Sequence, residues 1–292
     1  MKQKIMKNVT THLAASAAMV ALTVGVFGSS QALAGIASTK HNLGTGGTGA
    51  NHATAGGGGT AEICVFCHTP HGANIGFTGA PLWNRATPSG TYTTYNTLGT
   101  SSLTGATAPV GSVSLACLSC HDGTQAMNVV INQPGSGTGV SGAELTGTWT
   151  GVKNLSGTGI TNIGVSLTND HPIGIQYGGG MPSGGAYTTA NIAKGALKDD
   201  QFEGIQYANL NGNSVWWVDS GTTANARDKG DMMLYTRSGS GSINRDGTTG
   251  STLTGAQAFV ECASCHDPHT ETATFLRKSN AGSAVCLACH TK

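Results

Sequence analysis

Four segments of this chain read C-x-x-C-H: Cys64 to His68, Cys117 to His121, Cys262 to His266 and Cys286 to His290. Together they use all eight cysteines. No other feature restricts the fold so tightly, because this spacing is the attachment signal for c-type haem. In that chemistry two thiols close thioether bonds to the vinyl groups and the next residue presents an imidazole to the iron. Paired C-x-x-C units also make zinc sites, and in an oxidising compartment they form disulfides or redox pairs. Neither alternative accounts for a histidine directly after the second cysteine in every copy. The reading is four covalent haem c groups carried by Cys64 and Cys67, Cys117 and Cys120, Cys262 and Cys265, and Cys286 and Cys289, with His68, His121, His266 and His290 as proximal iron ligands.

The N-terminus fits that chemistry, which belongs outside the cytoplasm. Lys2, Lys4 and Lys7 precede an apolar stretch from Leu13 to Phe27 and the small-residue site Ala32-Leu33-Ala34, an order that predicts a secretory signal peptide over 1–34. The apolar run of about 15 residues falls short of the roughly 20 that a spanning helix needs. The mature chain is expected to be exported, to the periplasm or the cell surface, with no membrane span. Lys and Arg number 15 against 14 Asp and Glu, so no field is available to hold nucleic acid. With 45 glycines and 5% aromatic residues, side chains alone make a thin interior, and glycine carries the largest backbone entropy cost of folding. Something other than ordinary packing is expected to organise the chain.

The first and third motifs continue to a second histidine, giving C-x-x-C-H-x-P-H at Cys64 to His71 and Cys262 to His269. Beyond the proximal four and His12, five histidines remain as candidates for the opposite face of each iron: His41, His52, His71, His171 and His269. Met127, Met181, Met232 and Met233 are the thioether alternatives, disfavoured by the surplus of histidines. His71 cannot easily cap the iron held by His68, since the ring between them is tied to Cys64 and Cys67. Three extended residues span at most about 10 to 11 Å, so a second iron reached by His71 or His269 lies close to the first. Pro70 and Pro268 fix the direction of that reach. His171 precedes a proline in the same way and is expected to serve the haem of Cys117 and Cys120. His52 lies in a glycine-rich tract and reads as solvated.

Motif spacing is uneven: 53 residues from Cys64 to Cys117, 145 from Cys117 to Cys262 and 24 from Cys262 to Cys286. The domain expected over 35–292 therefore carries haems 1 and 2 in 35–122, a Gly/Thr-rich middle segment in 123–255, and haems 3 and 4 in 256–292. Apolar alternation over Gly151–Leu167 and Asn213–Ser220 suggests strands. The fold class is mostly irregular loops with short α-helices at the haem motifs and a few short β-strands, organised around four covalent haems. Trp83, Trp149, Trp216 and Trp217 pack either on the macrocycles or in an ordinary core.

The segments KHNLG, CVFCHTPHG, APLWNR, NDHPIGI, VECASCHDPH and FLRKSNAGSAVCLACH resemble those of multihaem, cytochrome c3-like proteins of metal-respiring bacteria. In haem count and size the chain is similar to the OmcE-type tetrahaem outer-surface cytochromes, whose subunits polymerise into extracellular filaments. The resemblance implies a distal-ligand role for His41, one distal histidine donated by an adjacent subunit, redox protein partners, extracellular metal acceptors and a homopolymer. The expected function is electron transfer, not catalysis, since two imidazoles per iron give similar low potentials and leave no substrate site. The alternative is a multihaem reductase with one open iron acting on a small oxyanion or nitrogen compound.

Overall fold

The tryptophan pair of the middle segment lies in a five-stranded antiparallel sheet, on the strand next to one edge. The computed structural model describes residues 35–77, 79–103, 105–134, 144–157, 159–179, 197–211, 213–224, 227–239 and 253–292. The expected signal peptide and Met181 fall outside them. In chain order the elements are β1 (His52–Ala53), α1 (Ser112–His121), β2 (Trp149–Thr150), β3 (Ile175–Gly179), β4 (Ile205–Leu210), β5 (Asn213–Val218), β6 (Met232–Gly239), β7 (Leu253–Val260), α2 (Cys262–Cys265) and α3 (Ala284–Leu287). β1 pairs with β2, and the larger sheet runs in the order β3-β7-β6-β5-β4.

Period-two alternation decides which way this sheet faces. Trp216 and Val218 of β5, Met232 and Leu234 of β6, and Ile205 and Tyr207 of β4 form one buried cluster, into which Phe202, Val285, Ala288, Cys265 and Cys289 pack. Trp216 is opposite Leu234 on one side and Tyr207 on the other, and its indole N–H donates to the Thr236 hydroxyl at 3.2 Å. One face of the sheet is thus the bed on which the third and fourth cysteine motifs rest. Tyr177 of β3 fastens them by donating its hydroxyl to the carbonyls of Cys289 (3.0 Å) and Glu203 (2.9 Å).

The N-terminal half is largely irregular. Its core joins Leu43, Val65, Phe66, Met127, Val130 and Leu145 with Cys67, Cys120, Trp149 and Leu155, so the first two motifs share one apolar cluster. Met127, Met232 and Met233 are all buried core residues.

Two expectations change. Gly151–Leu167 is not a strand: only isolated bridges form, Asn154 with Ala126 and Ser166 with Thr93. Gly151 and Gly164 both turn the chain at φ +73, a conformation that ends extended pairing. Conversely, the sheet is larger than a few short strands. Its β4, β6 and β7 carry Gln, Asn, Thr and Arg interspersed among apolar residues without strict alternation, which hides their apolar face from a reading by pattern.

Candidate haem sites

Every motif begins in a helical turn that brings its three functional groups together. The first starts in a 3-10 turn, Cys64–Phe66, the second ends α1, the third is α2 and the fourth runs through α3. In three of them the histidine N–H donates to the carbonyl of the first cysteine: His68 to Cys64 (2.7 Å), His266 to Cys262 (3.1 Å) and His290 to Cys286 (2.9 Å). Residues i, i+3 and i+4 then share one face, so two sulfurs and an imidazole point the same way. None of the eight cysteines is paired in a disulfide.

The imidazoles are oriented through their other nitrogen. Nδ1 of His68 lies 2.8 Å from the Pro81 carbonyl, that of His121 2.7 Å from Thr161, that of His266 2.8 Å from Thr274 and that of His171 3.0 Å from Pro172. A carbonyl only accepts, so Nδ1 carries the proton and Nε2 keeps a free lone pair, the form a metal binds. His41 donates to the Pro268 carbonyl. Burial, and next the positive charge of a protonated His121, hold the His41 pKa down to about 4. His121 and His171 are also lowered, first by burial. Nδ1 of His269 lies 3.5 Å from Asp267 Oδ1. The His269 side chain and amide, despite burial, hold that carboxyl down to about 2.

Two pairs of rings face each other across a gap. His68 and His269 have centres 6.2 Å apart with planes 19° from parallel, and His41 and His121 have centres 6.1 Å apart at 65°. Imidazole nitrogens sit about 2 Å from a metal, so two rings on opposite sides of one ion have centres about 6 Å apart. The residues present fit an iron between each pair. The imidazole facing His121 belongs to His41, and the charge of His290, in the fourth motif, acts on His171. The chain after Asp170 runs into β3, whose Tyr177 donates to the Cys289 carbonyl. His71 is exposed, its carbonyl accepting from Thr69 Oγ1 and Asn132 Nδ2 at 2.9 Å each. His266 is also exposed, and among the described residues no imidazole faces it as His269 faces His68. His52 is half-buried in β1, its Nδ1 2.9 Å from the Ala53 carbonyl.

The two C-x-x-C-H-x-P-H units are built alike beyond their sequence match. In the first, a returning segment bridges Trp83 to His68; the Asn84 amide donates to the Cys67 carbonyl (2.8 Å) and its side chain to Val65 (2.7 Å). In the second, Leu276 bridges to His266; the Arg277 amide donates to Cys265 (2.8 Å) and its Nε to Ala263 (3.0 Å). Thr69 donates to Leu82, and Asp267 to Phe275, at 2.9 and 2.7 Å. Leu82 and Phe275 both have positive φ, +55 and +59, a strained region for such side chains. Phe275 stacks on His41 at 4.2 Å, whereas Leu82 is 53% exposed. Sequence reasoning saw the paired histidines but not the returning segments, which share no motif.

Further polar residues lie between motifs, Glu261 and Arg85 among them. Glu261, 1% exposed, caps α2 and accepts from Ser114 of α1 (2.5 Å) and Arg237 of β6 (2.7 Å). Burial keeps its carboxyl above the ordinary range while Arg237 opposes. The same Ser114 hydroxyl accepts from the Cys262 amide at 2.9 Å. These contacts hold the helices that carry Cys117 and Cys262, of different motifs, against each other. Arg85 is fully buried.

Residues 256–292 match the family model described as the doubled CXXCH motif. That segment is multihaem c-type cytochrome-like. It holds the third and fourth motifs, and the same C-x-x-C-H pattern recurs in the first two; such motifs indicate covalent haem c binding and electron transfer in general. Comparison with curated proteins gives no match. Among the described residues no helix is long and apolar enough to cross a membrane.

Proposed function

We propose that the chain is an exported electron-transfer protein carrying four c-type haems, each iron held between two imidazoles. When bound, each haem supplies an iron that takes up and releases one electron; the protein fixes the axial ligands and the spacing. The observation that carries this reading is the opposed pair His68 and His269, with centres 6.2 Å apart, since one ligand comes from the first motif and the other from the end of the third. His269 on the iron of His68, three residues after proximal His266, ties haem 1 to haem 3. His41 serves the iron of His121, and His171 that of His290. Charge interaction of His41 with His121, His266 and His269 supports close spacing of haems 1, 2 and 3, which electron hopping requires.

The remaining distal position, opposite His266, is proposed to be filled by His71 of another copy of this chain, making the protein a filament subunit at the cell surface. The likeness of the two units supports this. In the second unit His269 faces His68 of the first motif and Phe275 stacks on His41. Their counterparts are His71, which among the described residues faces no imidazole, and Leu82, 53% exposed; a neighbouring copy would cover them. Exposed His266 also favours a second reading, a reductase whose substrate binds an open iron there. Holoprotein produced in a host that attaches haem c separates the two. Four haems by intact mass, wholly low-spin iron in the EPR spectrum, and filaments in electron micrographs that His71→Ala abolishes are expected. High-spin iron that persists in the assembled wild-type protein overturns the electron-transfer reading in favour of the reductase.

A further inference from the structure

Among the described residues no carboxylate pairs with Arg85. It is fully buried. Its Nη1 donates to the carbonyls of Met127 (2.9 Å) and Val129 (3.1 Å), and its Nη2 to those of Ser119 (3.1 Å) and Ala126 (2.8 Å). Its Nε is buried without a hydrogen-bond partner. Arg237, by contrast, pairs with Glu261 at 2.7 Å and Arg277 with Asp267 at 3.7 Å. Carbonyls stabilise a guanidinium, but they are dipoles and carry no net charge, so the positive monopole remains. In a low-dielectric interior it acts over a longer range than in water.

The position of that charge is specific. Ser119 directly precedes Cys120, and Asn84, beside Arg85, donates its amide to the Cys67 carbonyl at 2.8 Å. Cys67 and Cys120 pack against the same apolar cluster. Asp122, which follows the second motif, is engaged by the Tyr92 hydroxyl at 2.7 Å and by Thr124.

We propose that Arg85 sets the direction of the electron path by raising the reduction potentials of the two haems attached through Cys67 and Cys120 above those attached through Cys265 and Cys289. Adding one electron to ferric iron gives ferrous iron and lowers the charge of the group by one. A fixed buried cation therefore disfavours the ferric form and favours the ferrous one. Electrons entering at the C-terminal pair run downhill to the N-terminal pair. This assignment rests on the haem-carrying reading above and adds a residue that touches no iron.

The test is a spectroelectrochemical titration of holoprotein, with individual haems followed by NMR. In Arg85→Gln, which keeps donors but removes the charge, the haems of the first two motifs become at least tenfold harder to reduce, a shift of about 59 mV each, while the other two stay within twofold. Arg85→Lys keeps the charge and leaves all four within about threefold even where stability falls. An equal shift in both variants, or in all four haems, overturns the role. If Arg85→Gln does not fold, the wild-type titration decides: the haems of the first two motifs must be reduced first, and the reverse order sinks the proposal. Intact mass taken beforehand separates the two failures, since missing haems refute the haem reading and four haems with unmoved potentials refute only Arg85.

Discussion

The rings of His68 and His269 lie almost parallel, 6.2 Å apart centre to centre, although the residues come from opposite ends of the domain. Each is aimed by an acceptor on its far side, the Pro81 carbonyl for His68 and the Asp267 carboxylate for His269. His269→Ala in the holoprotein is expected to turn the haem of Cys64 and Cys67 high-spin, with carbon monoxide binding on reduction. His269→Met is expected to keep it low-spin at a raised potential, because thioether ligation favours the ferrous state. EPR and redox titration read both outcomes; an unchanged spectrum in His269→Ala removes the pairing.

A second expectation separates His41 from His171. His41→Ala should open the haem of Cys117 and Cys120, since the His41 and His121 rings are 6.1 Å apart. His171→Ala should open that of Cys286 and Cys289, since His290 is its electrostatic neighbour. NMR of the haem methyls assigns which group changes. If both substitutions perturb the same haem, the geometry has been read wrongly.

The motifs and the identity of the aiming histidines were legible because covalent spacing is local: two sulfurs and an imidazole must lie within one helical turn. Which histidine faces which motif was not legible. By sequence order His171 reads as serving the second motif; β3, which follows it, is hydrogen-bonded to β7 and carries Tyr177 to Cys289, and the proposed placement of His171 at the fourth motif rests on that pairing. The strand around Trp216 and Trp217 was readable from its apolar alternation. β7 of the same sheet was not, since Ala258 and Phe259 are buried among polar and glycine positions that dilute the pattern. Arg85 stood inside a recognisable segment, yet nothing local distinguishes a surface arginine from one enclosed by carbonyls contributed by residues 119–129.

The turn joining β5 to β6 supplies a pH-dependent prediction. Asp228 accepts from the amides of Thr222 (2.6 Å), Gly230 (2.8 Å) and Thr223 (3.0 Å), and these bonds lower its pKa, with Thr222 first. A carboxyl depressed in the folded state contributes stability above its unfolded pKa and loses it as pH falls through the lower folded value. The turn should therefore loosen in acid, seen as faster amide exchange at Thr222 and Thr223 relative to the intrinsic rate. Asp228→Asn should show that looser turn at neutral pH, with no further acid transition there. An acid transition that persists in the variant assigns it to another group.

Glu261 and Arg237 make the strongest stability prediction because their contact crosses three elements. Glu261 is enclosed and Arg237 is 18% exposed at the side chain, so removing one partner strands a charge or leaves buried donors unpaired. Such losses typically cost about 3 kcal/mol or more, here near the lower end because Arg237 keeps some contact with water. Glu261→Ala and Arg237→Ala should each lower the unfolding midpoint of the holoprotein. Glu261→Met with Arg237→Met should recover part of that loss, since well-packed apolar replacements of a buried pair are often close to neutral. The capping of α2 and the hydrogen bond from Ser114 to Glu261 are lost with the carboxylate, so recovery should be incomplete. A double variant no more stable than the sum of the two single losses would show that the carboxylate acts on α1 and α2 alone, independently of Arg237.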